Sequence, residues 1–121
     1  VSSIQETIAE LRQAPGVKGC VLLTHDGLVV AQALDARFRD DVVAGLASYL
    51  MMSTQRVLKE AGLQGLEQVQ VHAAHGKAVF VALEGSFLVV LFDQFADLEG
   101  CRDEVHSTTQ RLRRLSRLSR D

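Results

Sequence analysis

Gly16-Val17-Lys18-Gly19-Cys20-Val21-Leu22-Leu23-Thr24-His25-Asp26-Gly27-Leu28-Val29-Val30-Ala31 is the stretch that decides the fold. Val17 to Thr24 is almost continuously apolar, and so is Leu28 to Leu34. Between them Asp26-Gly27 signals a two-residue hairpin turn, because Asp and Gly tolerate the positive φ such a turn demands. Strands apolar at nearly every position are covered on both faces rather than wetted on one. Helices are therefore expected on both sides of this sheet.

On the N-terminal side, Ser3 and Glu6 suit a capping box with Val1 just outside it. Ile4, Ile8 and Leu11 recur at helical spacing until Pro15-Gly16 ends the pattern. On the C-terminal side a long helix is expected from about Asp40 to Ala61, capped by Asp40 or Asp41 and ended by Gly62. Its apolar positions (Val42, Val43, Leu46, Tyr49, Leu50, Met51, Met52, Val57 and Leu58, with several alanines) exceed the roughly 100° arc a surface helix needs. The surplus calls for a partner helix, and Ala44, Ala47 and Ser48 would permit close approach.

From Leu66 to Ala73 the pattern changes. Val69, Val71 and Ala73 alternate with Gln68, Gln70 and His72, as in a half-exposed edge strand. A second hairpin is expected to turn at His75-Gly76-Lys77. Ala78 to Leu83 and Ser86 to Phe92 are again apolar on both faces, with a Glu84-Gly85 turn between them. Asp97 is the expected cap of a last helix, with Glu99 in its first turn and a stripe of Leu98, Cys101, Val105, Leu112, Leu115 and Leu118. The element order is α-β-β-α-β-β-β-α.

Bulk properties narrow the function. A chain of 121 residues, 47% apolar, is expected to form one domain over residues 1–121 with a real core. It should bury about two thirds of its unfolded surface. A net charge of −2 argues against a general nucleic-acid binder. No apolar run approaches the ~20 residues of a membrane helix, and the N-terminus reads as an amphipathic helix rather than a signal peptide. Cys20 and Cys101 sit in apolar patterns far apart, which suits buried, reduced thiols and a cytoplasmic location.

Candidates for chemistry are few. His72 and His75 flank a turn, but no third ligand follows at a metal-site spacing, so two polar residues at a strand end are the simpler account. His25 beside Asp26 has no nucleophile motif with it, and the Asp-Gly pair is explained by the turn. Neither G-x-x-x-x-G-K-[ST] nor G-x-G-x-x-G is present, so no nucleotide cofactor is expected. Arg111, Arg113, Arg114, Arg117 and Arg120 crowd the end of the last helix. Cations there complement the helix dipole and usually form a solvated face. The stretch lacks aromatic residues for stacking on single strands, which leaves an acidic protein surface as the better target. Of Met51 and Met52, at least one is expected in the core, though methionine also suits adaptable surfaces.

The succession of Gly16-Val17-x-Gly19-Cys20, Thr24 with Asp26-Gly27, Val43-Ala44-Gly45-Leu46-Ala47, His75-Gly76-Lys77 and Leu88-Val89-Val90-Leu91 resembles the Roadblock/LC7 superfamily, and within it the single-domain bacterial branch. The resemblance spans nearly the whole chain and is carried by order and spacing rather than by any one motif. It implies an α+β, profilin-like fold: a five-stranded antiparallel sheet in the order 2-1-5-4-3, helices one and three on one face, helix two on the other. It also implies a homodimer that pairs the third strand edge to edge and packs helix two on its mate. Val43, Ala47, Leu50, Met51, Gln68, Gln70 and His72 are the expected interface residues. Such proteins resemble partners of small Ras-like GTPases, as activators, scaffolds or polarity factors. Arg56, Lys59 and Glu60 near the end of helix two are then expected peripheral contacts for the GTPase. Two features leave the branch open: the arginine-rich last helix, and the lack of the long N-terminal extension of some members. No catalytic residue, metal, cofactor, nucleic acid or integral membrane association is expected. The rival readings are a ligand-sensing domain of the PAS or profilin-like type and a purely structural subunit of a larger assembly.

Overall fold

The computed structural model describes residues 3–118, with side chains through residue 116. Val1, Arg120 and the side chains of Arg117 and Leu118 lie outside the described residues. The elements are α1 (Ile4–Arg12), β1 (Val17–Thr24), β2 (Val29–Leu34), α2 (Asp40–Glu60), β3 (Gln68–Ala73), β4 (Gly76–Leu83), β5 (Ser86–Phe92) and α3 (Arg102–Leu118). The strands form one antiparallel sheet in the order β2-β1-β5-β4-β3.

The period of two along a strand sorts the continuous apolar runs into two cores. Cys20 and Leu22 of β1, with Leu88 and Val90 of β5, join Ile8 and Leu11 of α1 and Val105 and Leu112 of α3. Val21 and Leu23, with Phe87 and Val89, join Ala44, Ala47 and Met51 of α2. Each central strand is thus saturated on both faces, as its composition implies.

Four local expectations are corrected. The first turn is a three-residue loop, His25-Asp26-Gly27, rather than a two-residue one. Thr24 N–H donates to the Leu28 carbonyl (2.9 Å), and Gly27 N–H donates to the Thr24 carbonyl (3.0 Å). Gly27 sits at φ +92°, the left-handed residue that closes a type I turn into a bulged hairpin. The second turn is Ala74-His75, because Ala73 pairs with Gly76 and so Gly76 and Lys77 already belong to β4. Arg39 is the N-cap of α2 and makes no side-chain cap bond; Asp40 and Asp41 fall in the first turn, where the helix dipole favours them. At the other end Gly62 (φ +76°) does stop the helix: Leu63 N–H reaches the Leu58 carbonyl (2.8 Å) and Gly62 N–H that of Lys59 (3.2 Å), a Schellman closure. Finally, α3 begins at Arg102 rather than at Asp97. Residues 98–101 form a separate turn, in which the Asp97 carbonyl accepts from Cys101 N–H (3.1 Å).

The Ser3 hydroxyl accepts from Glu6 N–H (3.1 Å), making half of the expected capping box. α1 is tied to α3 by Arg111, which meets the Glu10 carboxylate at 2.6 Å and the Thr7 hydroxyl at 3.4 Å. The hydrogen bond and the charge of Arg111 together hold Glu10 below the usual carboxylate range.

Candidate functional site

α2 has two unlike sides. Ala44, Ala47, Ser48 and Met51 are buried against the sheet. The small residues that the sequence offered to a partner helix instead let α2 sit close to its own strands. The Ser48 hydroxyl donates to the carbonyl of His25 in the first turn. The would-be Cβ of Gly27 lies 3.5 Å from Ser48 Cβ and 3.6 Å from Gly45 Cα, so turn and helix are in contact. His25 stacks on Phe87 with ring centroids 4.4 Å apart, and its Nε2 is buried without a partner. Asp26 turns to the Thr24 hydroxyl rather than to His25 for its main bond, which lowers its pKa along with a backbone hydrogen bond. That arrangement locks a turn and holds no nucleophile.

The outer side of α2 is apolar. Leu46, Tyr49 and Val57 are 66%, 75% and 65% exposed, and Val42 and, to one side, Met52 are exposed as well. At 100° per residue, Val42, Leu46, Tyr49 and Val57 fall on one outward arc. Val43 and Leu50 sit at its border, partly buried against the inner cluster. The expectation for Ala47 and Met51 is corrected by this geometry. Both face the sheet, Met51 at 0% exposure, and neither reaches the outer side. Arg56, Lys59 and Glu60 are exposed along the last turns of the helix, beyond the last buried position.

β3 is a sheet edge, as its alternation implied. The Glu67 carbonyl accepts from Ala82 N–H (2.9 Å). Main-chain groups alternate in direction along an antiparallel strand, so Gln68, Gln70 and His72 turn theirs outward. Their side chains share the face of Val79 and Val81 and border an open groove of about 1040 Å³. Arg102, His106 and Arg113 of α3 line its other wall. Sequence reasoning missed this groove. The signal was present: Arg102, His106, Thr109 and Arg113 recur at helical spacing on one face of α3.

The remaining candidates disperse. His72 lines the groove while His75 lies in the turn, and among the described residues no group of three or more His, Cys, Asp or Glu could hold a metal. The arginines separate too: Arg111 is tied to α1, Arg113 lines the groove and Arg114 is exposed. Cys20 and Cys101 are buried and unlinked. Burial pushes the Cys20 thiol up to about 12 and raises that of Cys101. A thiol that stays protonated and covered is a poor nucleophile. Ellman's reagent at pH 8 is therefore expected to find no fast-reacting thiol in the native protein and two in denaturant. Rapid native labelling of Cys20 would contradict its burial.

The Roadblock/LC7 domain model matches residues 3–92, and the chain belongs to that family. The uncharacterized protein MJ0714 of Methanocaldococcus jannaschii is 36% identical over 97 residues, 80% of this chain and 82% of that protein. The crystal structure of a Roadblock/LC7 domain from Streptomyces avermitilis superposes with a TM-score of 0.83 at 28% identity, covering 93% of this chain and 96% of that one. Myxococcus xanthus MglB superposes with a TM-score of 0.89 at 16% identity, covering 94% of each, which shows a shared fold. The architecture is the profilin-like Roadblock/LC7 fold. Among the described residues no helix is long and apolar enough to cross a membrane.

Proposed function

We propose that the chain is a non-catalytic, homodimeric module that binds a small Ras-like GTPase and regulates or scaffolds it in the cytoplasm. The observation that carries this reading is the outer face of α2, where Leu46, Tyr49 and Val57 stand exposed in one arc. A lone surface helix has no use for that arc, and a second copy of the same helix covers it symmetrically. The outward-turned main chain of β3 supports the same dimer, since an open edge pairs readily with its own copy. Val43 and Leu50 remain seam residues, joined by Leu46, Tyr49 and Val57, while Gln68, Gln70 and His72 bring the two edges together. Membership of the family supports the GTPase as partner.

The action on the GTPase is binding. A platform formed by paired α2 helices, with Arg56, Lys59 and Glu60 at its margin, favours one arrangement of the switch loops. Any change in hydrolysis or exchange follows from that difference in affinity. The test has two parts. Light scattering should give twice the 13.2 kDa of the chain. Purified GTPase loaded with GTP or with GDP should then be captured unequally. A monomer, or equal failure of both nucleotide forms to bind, removes the reading.

Gln70→Pro tests the edge by itself. Its N–H points away from β4, so proline deletes a group that only a partner strand would use. The variant is expected to dissociate more readily than the parent while keeping its far-ultraviolet sheet signal. Unchanged dimer stability in sedimentation equilibrium would move the seam off β3.

A further inference from the structure

We propose that the opposite edge of the sheet, β2, is locked against strand addition by Gln5 and Gln32, so that the sheet grows only through β3. The Gln5 side-chain amide, on α1, donates to the Gln32 carbonyl (2.9 Å). The Gln32 side-chain carbonyl accepts from Leu34 N–H (3.0 Å). Residues two apart on a strand turn their main-chain groups the same way. Gln32 and Leu34 therefore present one acceptor and one donor on the same side, and both are taken up by side chains of the same protomer. An incoming strand needs that pair of groups.

The lock stands where it is needed. Leu28 and Val30, at the start of the same edge, are 64% and 49% exposed. A bare apolar edge of this kind recruits other chains. At β3, by contrast, no described side chain bonds to the strand's backbone, and its edge-facing residues are Gln68, Gln70 and His72. One edge is thus blunted and the other open. A chain with two open edges would polymerise, whereas one open edge allows a single closed pairing. α1 is the element that carries the lock, and it is held in place by Arg111 through Glu10 and Thr7.

The experiment opens the edge without adding apolar surface. In sedimentation velocity the parent is expected to reach a mass plateau as concentration rises. The double variant Gln5→Ala, Gln32→Thr is expected to pass that plateau, its mass roughly doubling or climbing further as β2 edges join. Adding Val30→Lys to the opened variant should bring the plateau back, since an edge lysine blocks strand pairing. A double variant that keeps the parent plateau, or growth that Val30→Lys leaves untouched, overturns the proposal. A second measurement reads the lock in the parent itself. Leu34 N–H should be protected in native-state hydrogen exchange and lose that protection in Gln32→Thr while the central strands keep theirs. Fast exchange of Leu34 in the parent also overturns the proposal. The dimer reading stands or falls separately: a parent plateau at the mass of one chain removes it and leaves the behaviour of β2 to be decided by the same comparison.

Discussion

Met51→Glu is expected to unfold the protomer or bring it close to unfolding. Met51 is fully covered by the cluster of Val21, Leu23, Phe80, Phe87 and Val89. The hydroxyl one turn away, on Ser48, is already donated to His25. A carboxylate placed there has no partner, and it must be protonated or dragged to water. The cost is about 3–5 kcal/mol, set against a total stability of about 5–15 kcal/mol for a domain. Met51→Leu, which keeps volume and polarity, should cost less than about 1.5 kcal/mol. Urea denaturation of the two variants makes the comparison. If Met51→Glu keeps the parent midpoint and only dissociates the dimer, Met51 faces the seam and the placement of α2 is wrong.

The second large effect lies on the other side of the same helix. Leu46→Glu with Tyr49→Glu is expected to leave a folded monomer that no longer captures the GTPase. Both residues are exposed in the protomer, so the fold loses little. In the proposed dimer a two-fold axis would bring each new carboxylate near its own copy, in an apolar seam. A penalty on the order of 3 kcal/mol raises the dimer dissociation constant more than a hundredfold. Arg113→Glu on α3 serves as the comparison, with Arg117→Glu added from sequence. That variant should keep both dimer and GTPase. If it loses the GTPase while the α2 variant keeps it, the partner docks over the groove on the α3 face.

Much of this architecture was legible in the residues. Strands β1 and β5 declared themselves because short, Val-rich apolar runs bounded by turn signals suit a strand covered on both faces. Gln68, Gln70 and His72 marked β3 as an edge because glutamine has no place between two apolar layers. What sequence could not resolve was direction. Ala47, Leu50 and Met51 all fit an over-apolar helix, and only the crossing of α2 over the sheet sends Ala47 and Met51 inward and leaves Leu50 at the border. The start of α3 was misplaced because Asp97 is a good cap by type, but its segment spends its bonds on a single turn ending at Cys101. Only one wall of the groove beside β3 was legible, as the α3 stripe of Arg102, His106, Thr109 and Arg113; which residues it faces was not, because the other wall comes from far away in the chain, Gln70 among them. Gln5 and Gln32 carried no signal at all, since an exposed glutamine acquires its role only from what lies within reach.

The contact between the first turn and α2 has a mechanical consequence. Every buried position of α2 lies between Ala44 and Met51, and the hold of Ser48 on His25 sits in the middle of them. From Ser48 to Glu60 the helix runs about 18 Å, at about 1.5 Å per residue. It is a lever with its fulcrum at the β1–β2 turn and its exposed end at Arg56, Lys59 and Glu60. A tilt of about 5° at the fulcrum swings that end by about 1.6 Å over this length. A different turn at Gly27, whose added Cβ would meet Ser48 Cβ at 3.5 Å and Gly45 Cα at 3.6 Å, would therefore re-aim the far end of the helix without altering any residue there. Surfaces that meet different partners could arise from one scaffold by shimming the pivot alone.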